Sequence, residues 1–138
     1  MSKLLIDTNV LVYLKDTSSA FHRASVKLFK GNDQFYTTSK NLSEYYAVVT
    51  KGEKPLLTPQ EALHDITEFA LYCTILFPSY LSYQKLSELI KKYHPKGLRV
   101  HDFEIASIAL VNNVLNVATF NRSDFQQITG IEVTVPVL

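Results

Sequence analysis

The sequence predicts an α/β fold, a three-layer α/β/α sandwich around a mostly parallel five-stranded sheet. Short apolar runs that suit buried strands alternate along the chain with stretches whose apolar residues recur at helical spacing. The chain has 138 residues, 46% of them hydrophobic, which is enough to bury the core of one domain. We therefore expect a single domain over residues 1–138, with helices on both faces of the sheet.

The amino-terminal part predicts one strand followed by two helices. The first strand is expected at Lys3 to Ile6, a short apolar run that Asp7 ends. The apolar segment Val10 to Leu14 then predicts a helix that begins beneath a capping residue. A second helix is expected at Phe21 to Lys30. Asp7 is thus placed at a junction between a strand and a helix.

The middle of the chain predicts a second strand and two more helices. Gln34 to Thr38 reads as a strand, and Ser39 is the expected cap of a third helix that ends at Lys51-Gly52. The segment Thr58 to Glu61 is a capping box with proline at the first helical position. It predicts the start of a fourth helix that continues to about Tyr72.

The carboxy-terminal half predicts three strands and two helices. A strand at Thr74 to Phe77 is followed by a helix from Tyr80 to Tyr93. From Asp102 onward the residues are almost all apolar, which predicts a helix buried on most of its surface. The last two strands are expected at Val114 to Thr119 and at Ile131 to Val135.

Composition limits the classes of protein to consider. The formal net charge is +1, so the overall field neither supports nor excludes a polyanionic partner. The single cysteine, Cys73, excludes an intramolecular disulfide and, in its apolar surroundings, predicts a buried, inert thiol. The histidines are scattered and lack metal-ligand spacing with Cys73, which argues against a zinc site. No apolar run suits a signal peptide or membrane span, so we expect a cytoplasmic protein.

Three acidic residues lie where such a fold places its ligands, near the carboxyl ends of the strands, and one further acid lies on a helix. Asp7 follows the first strand, Asp102 opens the apolar helix, and Asp124 follows the fourth strand, while Glu44 lies on the third helix. Carboxylates held close together repel one another unless a hard divalent cation neutralises them. Convergence of these side chains in space would therefore indicate a metal site.

Each of these acids also has a purely structural explanation. Asp7 and Asp102 both precede a predicted helix, where an aspartate commonly caps free N–H groups. Glu44 lies away from the apolar stripe of its helix, which is typical of a solvated side chain. Asp124 can cap a short helical turn. The residues alone leave both explanations open.

Four segments, taken in order, carry a resemblance to a known family. They are Leu5-Ile6-Asp7-Thr8-Asn9-Val10, Thr38-Ser39-Lys40-Asn41-Leu42-Ser43-Glu44, His101-Asp102, and Ala118-Thr119-Phe120-Asn121-Arg122-Ser123-Asp124-Phe125. Over essentially its whole length the sequence resembles the PIN-domain family, and in particular the VapC-type ribonuclease toxins of bacterial and archaeal toxin–antitoxin pairs. That resemblance implies a metal-dependent endoribonuclease with Mg²⁺ or Mn²⁺ as its cofactor.

The resemblance also implies which acids are catalytic and bind the metal. Asp7, Glu44 and Asp102 correspond to the family's three most regular acidic positions. The fourth position differs among relatives, some of which carry aspartate where this chain has Asn121, whereas others have the Asn-x-x-Asp-Phe pattern seen here. Asp124 is therefore the expected fourth acid.

Further residues are expected to support the site and to hold RNA. Those expected to orient the carboxylates or a bound water are Thr8, Asn9, Thr119 and Asn121. Those expected to contact RNA are Lys92, Lys96, Arg99 and Arg122. Cations near the end of a helix are favourable without any ligand, and a loop arginine is often simply solvated, so both explanations stay open.

The resemblance implies three partners: an RNA substrate, a small antitoxin protein that covers the active-site groove, and a second copy of the chain in a homodimer. Two other functions compete. A haloacid-dehalogenase-like phosphatase would need a second aspartate two residues after the first, where this chain has Asn9. A catalytically inactive PIN-fold module that binds RNA or a protein is the stronger alternative, because a fold does not guarantee activity.

Overall fold

The computed structural model describes residues 2–138, and the strands within them form one five-stranded sheet in the order β3-β2-β1-β4-β5. The strands are β1 (Lys3–Ile6), β2 (Gln34–Thr38), β3 (Thr74–Leu76), β4 (Asn116–Ala118) and β5 (Glu132–Thr134). The pairings between neighbouring strands in this sheet are all parallel, which confirms the predicted α/β sheet.

Helices connect the strands. The α-helices are α1 (Thr8–Lys15), α2 (His22–Phe29), α3 (Ser39–Thr50), α4 (Pro59–Tyr72), α5 (Tyr80–Tyr93) and α6 (Val100–Val111). Two short 3-10 helices, Gly97–Arg99 and Arg122–Asp124, precede α6 and follow β4. The predicted bounds of β1, β2 and α5 agree with the structure, and α4 ends at Tyr72 as expected.

Two hydrophobic cores lie on opposite faces of the sheet. Successive strand residues point to opposite faces, so Leu5 joins the core that α5 and α6 cover, whereas Leu4 and Ile6 join the core beneath α1, α3 and α4. Phe103 and Ile108 of α6 are almost completely buried. The predicted three-layer sandwich and the predicted burial of this apolar helix are both confirmed.

Two predicted helix starts are wrong. Thr38, and not Ser39, caps α3, because its hydroxyl accepts a hydrogen bond from Asn41 N at 3.1 Å while Ser39 is already helical. Helix α6 begins at Val100, and not at Asp102, because it continues directly from the 3-10 helix Gly97–Arg99. Asp102 consequently lies within the first turn, and its explanation as a helix cap fails.

Other differences from the predicted bounds are small. Helix α1 begins at Thr8, directly after its cap, and β4 ends at Ala118, so Thr119 already lies in the loop. Cys73 is buried, as predicted, and that burial raises the pKa of its thiol to about 12. None of the helices in residues 2–138 is both long and apolar enough to cross a membrane.

Candidate active site

The strand order brings the ends of β1 and β4 together at the carboxyl edge of the sheet. From β1 the chain proceeds through β2 to β3 on one side, and it later returns to place β4 and β5 on the other side. The switch point therefore lies between β1 and β4, where a parallel α/β sheet opens a crevice for ligands. Asp7 and Thr119 follow these two strands, and Asp7 N donates to Ala118 O at 3.0 Å.

Asp7 is held by donors on both carboxylate oxygens. Its Oδ1 accepts from Thr8 N at 2.9 Å and from Asn41 Nδ2 at 3.2 Å, while its Oδ2 accepts from the Thr119 hydroxyl at 2.8 Å. The side chain is only 6% exposed, and this burial raises its pKa to about 6 although the bonds from Thr119 and Thr8 lower it. Asp7 does cap α1, as the structural explanation supposed, but it also lines the crevice.

Thr119 joins Asp7 to the loop that follows β4. Its fully buried hydroxyl oxygen accepts from Asn9 Nδ2 at 3.1 Å and from Asn121 N at 3.0 Å while it donates to Asp7. Asn9 in turn accepts from Phe120 N at 3.1 Å through its Oδ1. The loop after β4 is thus fastened to the start of α1, which fixes both sides of the crevice.

One cleft contains all four predicted acids. The residues that line it are Asp7, Thr8, Asn9, Val12, Tyr13, Glu44, Val48, Asp102, Asn121 and Asp124. The acids come from four elements, namely the end of β1, α3, α6 and the second 3-10 helix. The structure therefore brings together side chains that are far apart in the sequence, as the acidic-site hypothesis requires.

The acids affect one another electrostatically. Burial, followed by the negative charges of Asp124 and Asp7, raises the pKa of Asp102 to about 7, and Glu44 raises it further while Arg99 lowers it. Glu44 and Asp124 likewise raise the pKa of Asp7. Within residues 2–138 the Asp102 carboxylate accepts no hydrogen bond from a protein donor, so the cleft offers it little compensation for its charge.

Glu44 is the most exposed of the four acids. It lies three residues after Asn41 on α3, a spacing that places both side chains on the same side of the helix. Asn41 contacts Asp7, and Glu44 lies farther out along the cleft. The prediction of a solvated glutamate and the prediction of a site residue are therefore compatible.

Asp124 is positioned by Arg99. The Arg99 Nη1 atom lies 3.7 Å from Asp124 Oδ1, and its Nη2 donates to the Asp124 carbonyl oxygen at 3.4 Å. The guanidinium carbon of Arg99 also lies 5.5 Å from the centre of the Phe103 ring. Arg99 thus connects the beginning of α6 with the second 3-10 helix beside the cleft.

The oxygen atoms of the cleft suit a hard divalent cation, but the acidic side chains of residues 2–138 do not form a complete set of metal ligands. Carboxylate and amide oxygens are the ligands that Mg²⁺ and Mn²⁺ prefer, and burial, with a smaller effect of the neighbouring carboxylates, raises the pKa values of Asp7 and Asp102. Within the described chain, however, no three His, Cys, Asp or Glu side chains stand as a complete metal-ligand group. Mg²⁺ commonly uses one or two carboxylates with water and substrate phosphate, so the residues fit an ion held in that way.

A family model supplies the decisive comparison, because the model of the PIN domain matches residues 4–131. The chain belongs to the PIN domain family. The matched range includes every residue of the acidic cleft. No curated protein sequence matches the chain.

Solved structures share the fold of this PIN domain. The VapBC2 structure from Rickettsia felis, bound to a DNA fragment from its promoter, superposes with a TM-score of 0.73 at 20% identity, over 96% of this chain and 97% of that one. The DNA-bound VapBC structure from Salmonella typhimurium superposes with a TM-score of 0.68 at 24% identity, over 97% of this chain and 98% of that one. The VapC20 structure from Mycobacterium tuberculosis is described as a toxin that cleaves the sarcin–ricin loop. It superposes with a TM-score of 0.64 at 14% identity, over 83% of this chain and 86% of that one.

The four cations predicted to contact RNA lie outside the described lining of the PIN-domain cleft. Lys92 is exposed and donates to the Thr129 hydroxyl at 2.9 Å, and Arg99 pairs with Asp124. Lys96 and Arg122 are exposed on the surface. Their role in holding RNA stays a prediction.

The sequence-based prediction of the site omitted residues that line the cleft or contact its acids. Asn41 donates to both Asp7 Oδ1 and the Thr8 hydroxyl, at 3.2 and 3.0 Å, yet it was noted only as part of a motif. Its position three residues after Thr38, in a reciprocal capping pair, could have placed it at the start of α3. Tyr13 and Val48 also line the cleft, and ordinary apolar spacing offered no signal for them.

Proposed function

We propose that this PIN domain is a metal-dependent endoribonuclease and the toxin of a toxin–antitoxin pair. The observation that carries the proposal is the single cleft into which Asp7, Glu44, Asp102 and Asp124 converge. The raised pKa values of Asp7 and Asp102 support it, because a bound cation stabilises carboxylates whose charged form is otherwise disfavoured. Perturbed carboxyl groups in a cleft are typical of functional sites.

Asp7 and Asp102 would hold Mg²⁺ or Mn²⁺, and Glu44 and Asp124 line the same cleft. When bound, the ion would supply Lewis acidity that makes water more acidic near neutral pH, and it would offset the charge that builds on the phosphate. No nucleophilic side chain is then needed to cleave the phosphodiester bond. The hydrogen bonds from Thr8, Thr119 and Asn41 keep Asp7 in one orientation before substrate arrives.

Proton transfer is assigned to a carboxylate of the cleft. Glu44 and Asp124 are the two candidates, and Glu44 is favoured because Asp124 is engaged by Arg99. Glu44 lies near the open side of the cleft, where it can accept a proton from the attacking water and release it to solvent. Asn9 and Asn121 provide amide groups at the same cleft for orienting water or phosphate oxygens.

The proposed partners follow from the resemblance to VapC-type toxins. Solved structures with this fold include VapBC complexes and the FitAB complex, which supports a small antitoxin that covers the cleft. A homodimer is also proposed. Apolar side chains at the β3–α5 connection support it, because Phe77, Tyr80, Leu81 and Tyr83 are each at least 63% exposed.

Cleavage of RNA by the purified protein tests the proposal. We expect single-stranded or structured RNA to be cut in Mg²⁺ or Mn²⁺ and the reaction to stop with EDTA. The Asp7→Asn/Asp102→Asn double variant should lose turnover while remaining folded. A matched control, Asp33→Asn/Glu53→Gln, removes the same charge away from the cleft and should cleave like the wild type.

Two results would count against this function. Cleavage that persists in the double variant would mean that the acids of the cleft are not responsible. Wild-type protein that binds RNA in either metal without cleaving it would identify the inactive PIN-fold module instead. Parallel assays with single-stranded DNA establish whether the activity is confined to RNA.

A further inference from the structure

Three aromatic rings pack together at one end of the acidic cleft. The centroids of Tyr13 and Phe21 lie 5.0 Å apart, those of Phe21 and Phe120 4.8 Å, and those of Tyr13 and Phe120 5.4 Å. Tyr13 lines the cleft itself, whereas Phe21 is 46% exposed and Phe120 is partly buried. An aromatic cluster with one open ring therefore borders the acids.

This cluster is held in place with respect to Asp7. Phe120 N donates to Asn9 Oδ1, Asn9 Nδ2 donates to the Thr119 hydroxyl, and Thr119 donates to Asp7 Oδ2. On the other side, a ring nitrogen of His22, next to Phe21, lies 2.9 Å from the Tyr13 carbonyl oxygen. The distance between the rings and the acids is consequently set by hydrogen bonds at both ends of the cluster.

Core packing does not account for the position of Phe21. Its ring leaves nearly half of its surface in solvent, although it is the residue immediately before α2 and adjoins a cleft rich in polar groups. Phe21 is not among the residues of either hydrophobic core of the sheet. An exposed ring that packs at a tilt against two others is a suitable surface for a flat, partly apolar ligand.

The positive charges of α2 indicate the class of flat ligand that would fit against Phe21. Arg23, Lys27 and Lys30 follow Phe21 at spacings that put them on one side of the helix, and all three are exposed. None of them forms an ion pair with another residue of the described chain. A row of free cations beside an open aromatic ring matches a nucleic acid strand, which presents phosphates and bases together.

We propose that Phe21, supported by Tyr13 and Phe120, stacks against an unpaired base of the RNA substrate, and that Arg23, Lys27 and Lys30 hold the adjoining backbone. This inference rests on the proposed ribonuclease function and assigns it a substrate subsite. It selects single-stranded or looped RNA, because a base inside a duplex has no free face for the ring. It also places the cleaved phosphate beside a stacked nucleotide.

Binding without cleavage tests the subsite directly. A fluorescently labelled single-stranded RNA is titrated with the protein in EDTA, and fluorescence anisotropy reports the affinity. Phe21→Ala is expected to weaken binding roughly tenfold, because base stacking on an aromatic side chain is commonly of that magnitude. Phe21→Tyr should bind like the wild type. Leu71→Ala, which removes an apolar side chain 82% exposed on α4, is the control and should leave affinity unchanged.

A second variant reports stacking itself. The chain contains no tryptophan, so Phe21→Trp introduces a single indole whose emission a stacked base should quench. Quenching is expected with the RNA and is expected to be absent with an abasic strand of the same length and charge. Circular dichroism verifies that each variant is folded.

The possible results separate this inference from the proposed function. Equal RNA affinity of Phe21→Ala and wild type, or emission from Phe21→Trp that RNA leaves unchanged, would overturn the subsite even if the enzyme cleaves RNA. Stacking without any cleavage in Mn²⁺ would support the subsite and overturn the ribonuclease proposal. If Phe21→Ala binds RNA normally and fails only to bind a protein partner, the cluster is a protein-docking surface and the inference is wrong.

Discussion

The hydroxyl of Thr119 donates a 2.8 Å hydrogen bond to Oδ2 of Asp7, across 112 residues of sequence. The same oxygen accepts from Asn9 Nδ2 and from Asn121 N, so one buried side chain connects the loops after β1 and β4. Thr119, a neutral residue that follows the neighbouring strand β4, therefore orients the carboxylate of Asp7.

Replacement of Thr119 tests this connection. Thr119→Val keeps the shape of the side chain but leaves Asp7 Oδ2 and Asn9 Nδ2 without their partner, so we expect a stability loss of about 1–3 kcal/mol in urea denaturation. RNA cleavage should fall at least roughly tenfold, because Asp7 is no longer held in one orientation.

Two variants serve as controls for Thr119→Val. Thr119→Ser retains the hydroxyl and should recover most of the cleavage rate. Thr134→Val removes the 2.9 Å bond to Asn116 Oδ1, away from the cleft, and should cost about 1 kcal/mol without reducing cleavage. Equal losses of activity in both valine variants would contradict a specific role for Thr119.

The pH dependence of stability should reveal how burial and the nearby carboxylates disfavour the charge of Asp102. Its pKa rises from 3.8 to about 7 in the folded protein, so the folded state binds more protons than the unfolded state in this interval. Its ionisation therefore lowers the free energy of unfolding as the pH rises from about 4 to about 7. Asp102→Asn should be more stable than metal-free wild type at about pH 8, by about 1–2 kcal/mol after solvent screening, and not at about pH 4.

Chemical denaturation of both proteins in EDTA across this pH range measures the difference. The stability gained by Asp102→Asn must grow with pH. A difference that is constant with pH, or that is largest under acidic conditions, would show that the charge of Asp102 is not the cause.

Added metal should offset the unfavourable charge of the buried carboxylates in the cleft. Mn²⁺ is expected to stabilise the wild type by about 2.7 kcal/mol when its free concentration is about one hundred times the dissociation constant. Asp102→Asn should lose most of this stabilisation, whereas the control Asp33→Asn, outside the cleft, should retain it. Thermal unfolding with and without Mn²⁺ provides the comparison, and equal shifts in the two variants would place the ion elsewhere.

Arg99 is expected to act through Asp124 and not through RNA. Arg99→Ala removes the contacts to the Asp124 carboxylate and carbonyl oxygens, so amide hydrogen exchange should become faster in residues 121–128. Arg122→Ala makes the same change in charge at an exposed position nearby and should leave exchange unchanged. If Arg99→Ala instead weakens RNA binding while exchange stays the same, the original prediction of an RNA-binding arginine is favoured.

Local sequence patterns predicted most of the fold because the determinants of its elements are themselves local. The box formed by Thr58 and Glu61 does start α4, and the alternation of Leu4, Leu5 and Ile6 between the two cores follows from strand geometry. The wrong start of α6 has a physical reason. A 3-10 helix can lead into an α-helix without any capping side chain, and no residue type signals this.

The acids, and Thr8 and Thr119 that bond to Asp7, were predicted because family motifs mark them, but other contacts around the cleft were not. The pairing of Arg99 with Asp124 and the packing of Phe21 against Phe120 join elements that only the tertiary fold brings together. Asn41 is an ordinary polar residue in the sequence, and its contact with Asp7 depends on how α3 leaves β2. Such contacts carry no periodicity that a single sequence can reveal.

The position of β4 beside β1 has a consequence for the timing of synthesis. Asp7 and Glu44 are translated well before Asp102, Thr119 and Asp124. Until β4 inserts next to β1, the nascent polypeptide lacks both Asp124, which follows β4, and the Thr119 hydroxyl that orients Asp7. Under the proposed ribonuclease function, RNA cleavage would therefore begin only after the segment from β4 to Asp124 has left the ribosome.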